Sequence, residues 1–224
     1  MDAADDTPSF EQKWHDRWPE WALGMVFVPV AQRARTAAWF ALLQELAHAA
    51  LGGADPTPGL AKLAWWQEEL TGWSKGARRH PLGAVLQPLA APWLTLAHAL
   101  PGLQAHRRRP GESAAAGAGA RTFADAVLRC EGILFDAATG DPGAVDALRD
   151  ALAREWAMLY PDAVVATDPP HAGNTRPPTG VLSRPRAIHD ALVAGRRDGD
   201  GQRSGPVRAL LAAWQGARRG ARPH

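Results

Sequence analysis

Apolar residues recur along most of this chain at steps of three and four, the spacing that gathers them on one side of an α-helix. From Thr57 and Pro58, which read as an N-cap followed by an N1 proline, Leu60, Leu63, Trp66, Leu70 and Trp73 keep that step. That stripe is expected to face the core. Because successive helical residues point about 100° apart, Trp65 cannot share the direction of Trp66 and lies at the edge of the stripe or on a second buried surface. Upstream, Ser9 and Gln12 have the spacing of a capping box, which predicts a first helix that Pro19 stops or kinks. Over 30–51, apolar residues occupy most of the circumference, the pattern of a buried helix.

The second half is more heavily punctuated. Pro88 and Pro92 divide 80–100 into a helical pair, and the basic, then Gly/Ala-rich run over 105–120 predicts a mobile linker. Phe123, Val127, Leu128 and Leu134 mark a further helix, and the turn Asp141-Pro142-Gly143 leads into another that Pro161 ends. Residues 161–183 hold too much proline and glycine for regular structure and are expected to be mobile. A C-terminal helical region over 184–219 follows, with short helices around 187–194 and 207–218. The last of these puts Val207, Leu210, Leu211 and Trp214 on one face and Arg218 and Arg219 in its final turn, where the helix dipole favours cations. The expectation is an all-α fold in which residues 1–224 form a single helical domain.

Composition supports helix over sheet, since alanine and leucine dominate and runs of Val, Ile and Thr are missing. A formal net charge of +2, from 25 basic and 23 acidic side chains, is too small an excess to coat phosphates. Nucleic acid is therefore not an expected partner. The one cysteine, Cys130, cannot form an internal disulfide, and the first residues are acidic where a secretory signal needs positive charge. No apolar run approaches the ~20 residues of a transmembrane segment. A cytoplasmic location is expected, with peripheral membrane contact left open.

Four groupings are candidates for chemistry. Glu45 and His48 form an E-x-x-H step, but a di-iron bundle needs a second copy and two more glutamates, so a mutual hydrogen bond is the expected role. Asp146 and Asp150 place two carboxylates on one helix face and could hold magnesium; they also fall in the opening turns of a helix, where the dipole favours acids whatever the function. Arg107, Arg108 and Arg109, like Arg78, Arg79 and His80, read as solvated loops. Cys130 reads as a small buried residue.

The segments RTAAWFALLQELAHAAL, KLAWWQEEL and RRHPLGAVL together resemble the squalene/phytoene synthase family over residues 10–100. A family pattern of R-L-x-x-W-x-x-E-L, a loop and H-P has its counterparts in Lys62, Leu63, Trp66, Glu69, Leu70, His80 and Pro81. The resemblance implies a single all-α domain around a deep apolar cavity. It also implies that Trp66 packs one wall and that Arg35, Gln44, Glu45, His48 and Trp66 line the cavity and meet a substrate or ligand.

Catalytic members of that family carry acidic motifs on two helices, whose carboxylates bind magnesium and the diphosphate. Here the first place reads Leu46, Ala47, His48, Ala49, Ala50, Leu51, and the second offers Asp162 beyond Pro161. Ionising an allylic diphosphate requires its charge to be neutralised as it develops. Arg33, Arg35 and Arg154 bring charge but cannot coordinate a metal cluster. The expectation is a non-catalytic relative, without a cofactor, that binds an isoprenoid, a lipid or a protein partner through its cavity or surface. The alternatives are an active magnesium-dependent prenyl transferase using Asp146 and Asp150, and a helical interaction module unrelated to the family. Magnesium-dependent diphosphate release separates the first two, and a large apolar cavity separates both from the third.

Overall fold

The computed structural model describes residues 7–104, 107, 113–137, 142–163, 182–197 and 205–220. Every regular element among them is helical, as expected: α1 (Thr7–Arg17), α2 (Trp21–Gly24), α3 (Arg33–Leu51), α4 (Thr57–Trp73), α5 (Gly83–Leu86), α6 (Trp93–Gln104), α7 (Ser113–Phe135), α8 (Pro142–Leu159), α9 (Arg184–Arg197) and α10 (Pro206–Arg219). Two 3₁₀ turns, Met25–Phe27 and Val30–Gln32, join α2 to α3. Among the described residues no helix is long and apolar enough to cross a membrane.

Helix α3 is the axis of the bundle, in contact with α1, α4, α5 and α6. Trp39, Phe40, Leu42 and Leu46 are buried on several of its sides, as its all-round apolar pattern requires. In α4, Leu63, Trp66, Leu70 and Trp73 are buried, and Trp65 is half-buried with its ring edge-on to Trp66 at 5.2 Å. Leu60 departs from the predicted stripe and is 41% exposed. It points about 120° from Trp66, because two backward steps of three each turn the direction by about 60°. The amide of Thr57 donates to Asp55 Oδ1 at 2.9 Å, so the N-terminal cap comes from Asp55 rather than from Thr57 itself.

Two helix pairs among α1 to α7 touch backbone to backbone. A β-carbon at Gly59 of α4 would lie 2.1 Å from the Ala49 carbonyl oxygen of α3, and one at Gly102 of α6 would lie 2.1 Å from the Gly119 oxygen of α7. Only glycine allows either approach.

The loop after α4 is organised by Glu69, which is 2% exposed. Its carboxylate accepts the indole N–H of Trp73 at 2.8 Å, the amides of Arg79 and His80 at 2.7 and 2.8 Å, and Arg79 Nε at 3.0 Å. Arg79 and His80 are thus fixed to the bundle, and the His80 ring packs against Phe10 and Trp66 at 4.5 Å each.

Within 105–120, residues 113–120 are the opening turns of α7. Arg107 donates to the carbonyls of Ala50, Gly53 and Ala54, so it closes the C-terminal end of α3 instead of extending into solvent. Residues 105–106 and 108–112 lie outside the described residues. Of 161–183, residues 161–163 form a turn after α8 and 182–183 lead into α9; 164–181 lie outside the description.

Candidate functional site

Helix α9 turns its charges inward. Arg186 and Arg196 are 1% and 6% exposed, His189 is 2% exposed, and each has a partner from a distant part of the chain. Arg186 Nη2 and Nε donate to Glu131 Oε1 of α7 at 2.6 and 3.0 Å, and the same carboxylate accepts Trp39 Nε1 of α3 and Ser183 Oγ. At the other end Arg196 forms a two-pronged pair with Glu20 at 2.6 and 2.9 Å and lies over the Trp18 ring at 3.9 Å.

His189 sits between these pairs. Its Nδ1 accepts the Trp21 indole N–H at 3.1 Å, so the hydrogen is on Nε2, which is 3.1 Å from Glu155 Oε1 of α8. The imidazole stacks on Phe40 at 4.6 Å, and the Arg186 guanidinium lies over the same ring at 4.9 Å. Burial opposes ionisation of Glu155, but His189, Arg186 and Arg17 together hold its carboxyl below the usual carboxylate range. Asp190 behaves oppositely. Burial pushes it up to about 6, against the pull of Arg186 and His189 and with help from Glu131 and Glu155.

This cluster forms one end of a cleft between α1, α3, α8 and α9. Trp14, Trp18, Phe40, Trp156 and Tyr160 supply aromatic walls, and Gln44, Glu155, Arg186 and His189 supply the polar lining. Three buried polar atoms in the lining, Trp14 Nε1, Gln44 Oε1 and the Tyr160 hydroxyl, have no hydrogen-bond partner among the described residues. Burial pushes the Tyr160 hydroxyl up to about 12 although the Arg17 guanidinium lies over its ring at 5.3 Å. The cleft leaves about 20 Å³ for the centre of a water-sized sphere, which is room for about one water molecule. It is therefore closed to a prenyl chain in this conformation. Helix α8 packs chiefly on α7 and only lightly on α9.

Of the five residues expected to line a cavity, Gln44 is in this cleft. Arg35 donates to the Leu134 carbonyl at 2.9 Å and ties α3 to α7. Glu45 accepts Lys62 Nζ at 2.6 Å, so its carboxylate is engaged by α4 and not by His48. His48 is exposed, with its ring 6.4 Å from Tyr160, and Trp66 is wholly buried among Trp65, Trp73 and His80. Cys130 is buried, and burial raises its thiol well above its ordinary value. Sequence reasoning did not pick out Glu131, Glu155, Arg186 or His189. For Arg186 and His189 the only local signal is their helix, RPRAIHDALVAGRR, whose charges fall on its apolar side; Glu131 and Glu155, on α7 and α8, have none.

The carboxylates considered for a metal, and those of the cleft, are engaged by cations or by His189. Glu131 and Glu155 are matched to Arg186 and His189. Asp146 pairs with Arg121 at 2.9 Å and with Arg149 at 3.3 Å, and Asp150 with Arg149 at 2.8 Å. Among the described residues no three histidine, cysteine or acidic side chains are grouped to hold a metal ion. Comparison of the chain with protein-family models, curated proteins and solved structures gives no match.

Proposed function

We propose that this chain is a helical binding protein of the squalene/phytoene synthase type that has no diphosphate chemistry, and that the cleft between α1, α3, α8 and α9 takes an isoprenoid or related lipid. The observation that carries the reading is the cleft lining: five aromatic side chains and three buried polar atoms, two of them on those aromatic side chains, that have no partner among the described residues. Leaving buried polar atoms unpaired costs roughly 1–3 kcal/mol each, so a ligand with a hydroxyl or carbonyl head recovers stability that the free protein lacks. Its apolar tail replaces the contact between α8 and the wall of α1 and α3. Access requires a wall of the cleft to move outward, since the cleft as it stands has room for about one water molecule.

The carboxylate pairing argues against catalysis. Glu155 already receives the His189 hydrogen, and freeing it for a metal would leave the imidazole without its acceptor. The resemblance in WWQEEL and RRHP is then a matter of architecture. Glu69 fixes the amides of Arg79 and His80, and His80 fills the space between α1 and α4.

Two measurements test the reading. Purified protein with magnesium is expected to release no diphosphate above background from C15 or C20 prenyl diphosphates. Titration with farnesol is expected to quench tryptophan emission saturably, and Tyr160→Phe, which removes one unpartnered polar atom of the lining without adding volume, should weaken that response while leaving the fold intact. Magnesium-dependent turnover would overturn the non-catalytic reading. Absence of saturable quenching, or quenching unchanged in Tyr160→Phe, would remove the cleft as the binding site.

A further inference from the structure

Helix α10 is attached by its small residues and turns its large ones to solvent. Ala209, Ala213 and Gly216 are buried, and a β-carbon at Gly216 would lie 2.4 Å from the Ala187 carbonyl oxygen, so the α10 backbone rests directly on α9. With about 100° between neighbours, Val207, Leu210, Leu211 and Trp214 occupy the opposite side. They are 72, 42, 53 and 44% exposed. Single exposed apolar residues are ordinary, but four on one face of one helix mark a surface that meets something.

The charge on the helix indicates what that is. Residues 206–219 include Arg208, Arg218 and Arg219 and no carboxylate. Arg218 and Arg219 are exposed in the last turn, and the Arg218 guanidinium lies over the Trp214 ring at 4.9 Å, which puts a cation at the border of the apolar face. Leucine and tryptophan on one side with arginine at the edge suit the boundary between headgroups and acyl chains, where the apolar side chains enter shallowly and arginine meets phosphate. A protein groove of ordinary mixed charge would favour some carboxylates in return; a rim of arginine alone matches a surface of dense negative charge. Because the inner face is already closed against α9, the helix is folded before it docks.

We propose that α10 is a membrane-docking helix, by which the chain rests on an anionic bilayer with the helix axis in the plane of the interface. This stands independently of what the cleft binds. The test is flotation of the full chain with vesicles of phosphatidylglycerol and phosphatidylcholine in equal parts, and with phosphatidylcholine alone. The protein is expected to float with the anionic vesicles, less at high salt and little with phosphatidylcholine. Arg218→Gln and Arg219→Gln should each weaken partitioning about fivefold, and Leu211→Glu about tenfold or more. All three positions are exposed, so the thermal melts of these variants should match the parent. Failure to float with anionic vesicles, or equal flotation of Leu211→Glu, overturns the proposal. So does a dimer seen by sedimentation velocity that Leu211→Glu abolishes without any lipid binding, which would assign the face to a second copy of the chain.

Discussion

Glu131 of α7 and Arg186 of α9 meet at 2.6 Å with 1% of either side chain exposed. Two further donors, Trp39 Nε1 and Ser183 Oγ, complete the carboxylate, so α3, α7 and the start of α9 share one acceptor. Removing one partner of such a pair leaves the other charged and buried, at a cost of about 3–5 kcal/mol. Arg186→Met is expected to lower the unfolding free energy measured in urea by that amount, and Glu131→Leu combined with Arg186→Met to recover much of it. If the single variant loses as little as an exposed ion pair would, the network does not hold α9 in place.

The adjacent tryptophans of α4 should respond unequally. Trp66 is fully buried, so Trp66→Ala is expected to cost about 3–5 kcal/mol through lost burial and the cavity left behind. Trp65 is half-buried, and Trp65→Ala should cost clearly less. Denaturant melts of both variants check the ordering, and small, equal losses would put the stripe at the surface.

His80 makes stability depend on pH. Burial pushes the imidazole down to about 4 from an ordinary 6.5. Between those values the unfolded chain holds a proton that the folded chain lacks. Its contribution is therefore complete above pH 6.5, declines as pH falls toward about 4, and levels off below. His80→Asn keeps an acceptor for the Leu82 amide, which Nδ1 receives at 3.2 Å. Urea midpoints taken across that window should slope less in the variant than in the parent; identical slopes would mean that His80 is not the titrating group.

Asp146→Asn and Asp150→Asn should change little. Both side chains are about two-fifths exposed and paired with arginines at the surface between α7 and α8, where such pairs contribute roughly 0–1 kcal/mol. Calorimetric melts with and without magnesium are expected to coincide for the parent and both variants. A magnesium-dependent rise in melting temperature, lost in either variant, would restore the metal reading of this pair.

The helices were legible because their apolar residues recur with the helical period and because Pro19, Pro58, Pro88, Pro92 and Pro161 punctuate them. Distant partners were not legible. Glu131 and Arg186 lie 55 residues apart and Trp21 and His189 lie 168 apart, and no local pattern announces either contact. Glu45 and His48 looked paired because they sit one helical step apart, yet Lys62 on the next helix takes the carboxylate at 2.6 Å. On α10 the periodicity located the apolar face correctly, but it could not tell which face the bundle would use. Alanine and glycine allow backbones to come closer than leucine and tryptophan do, and the small face was the one that packed.

Gly59 and Gly102 have a consequence for recognising relatives of this chain. Each stands where a β-carbon would strike a main-chain oxygen, which has no rotamer to retreat into. Cleft residues can be exchanged as a ligand changes, and surface charges can drift freely. These two positions cannot follow without α3 and α4, or α6 and α7, separating along their length. A distant relative that has lost every motif of chemistry should still betray itself by a glycine in the first turn of the fourth helix and another near the end of the sixth. Those two residues are a fingerprint of the architecture, one that outlasts any activity the scaffold has carried.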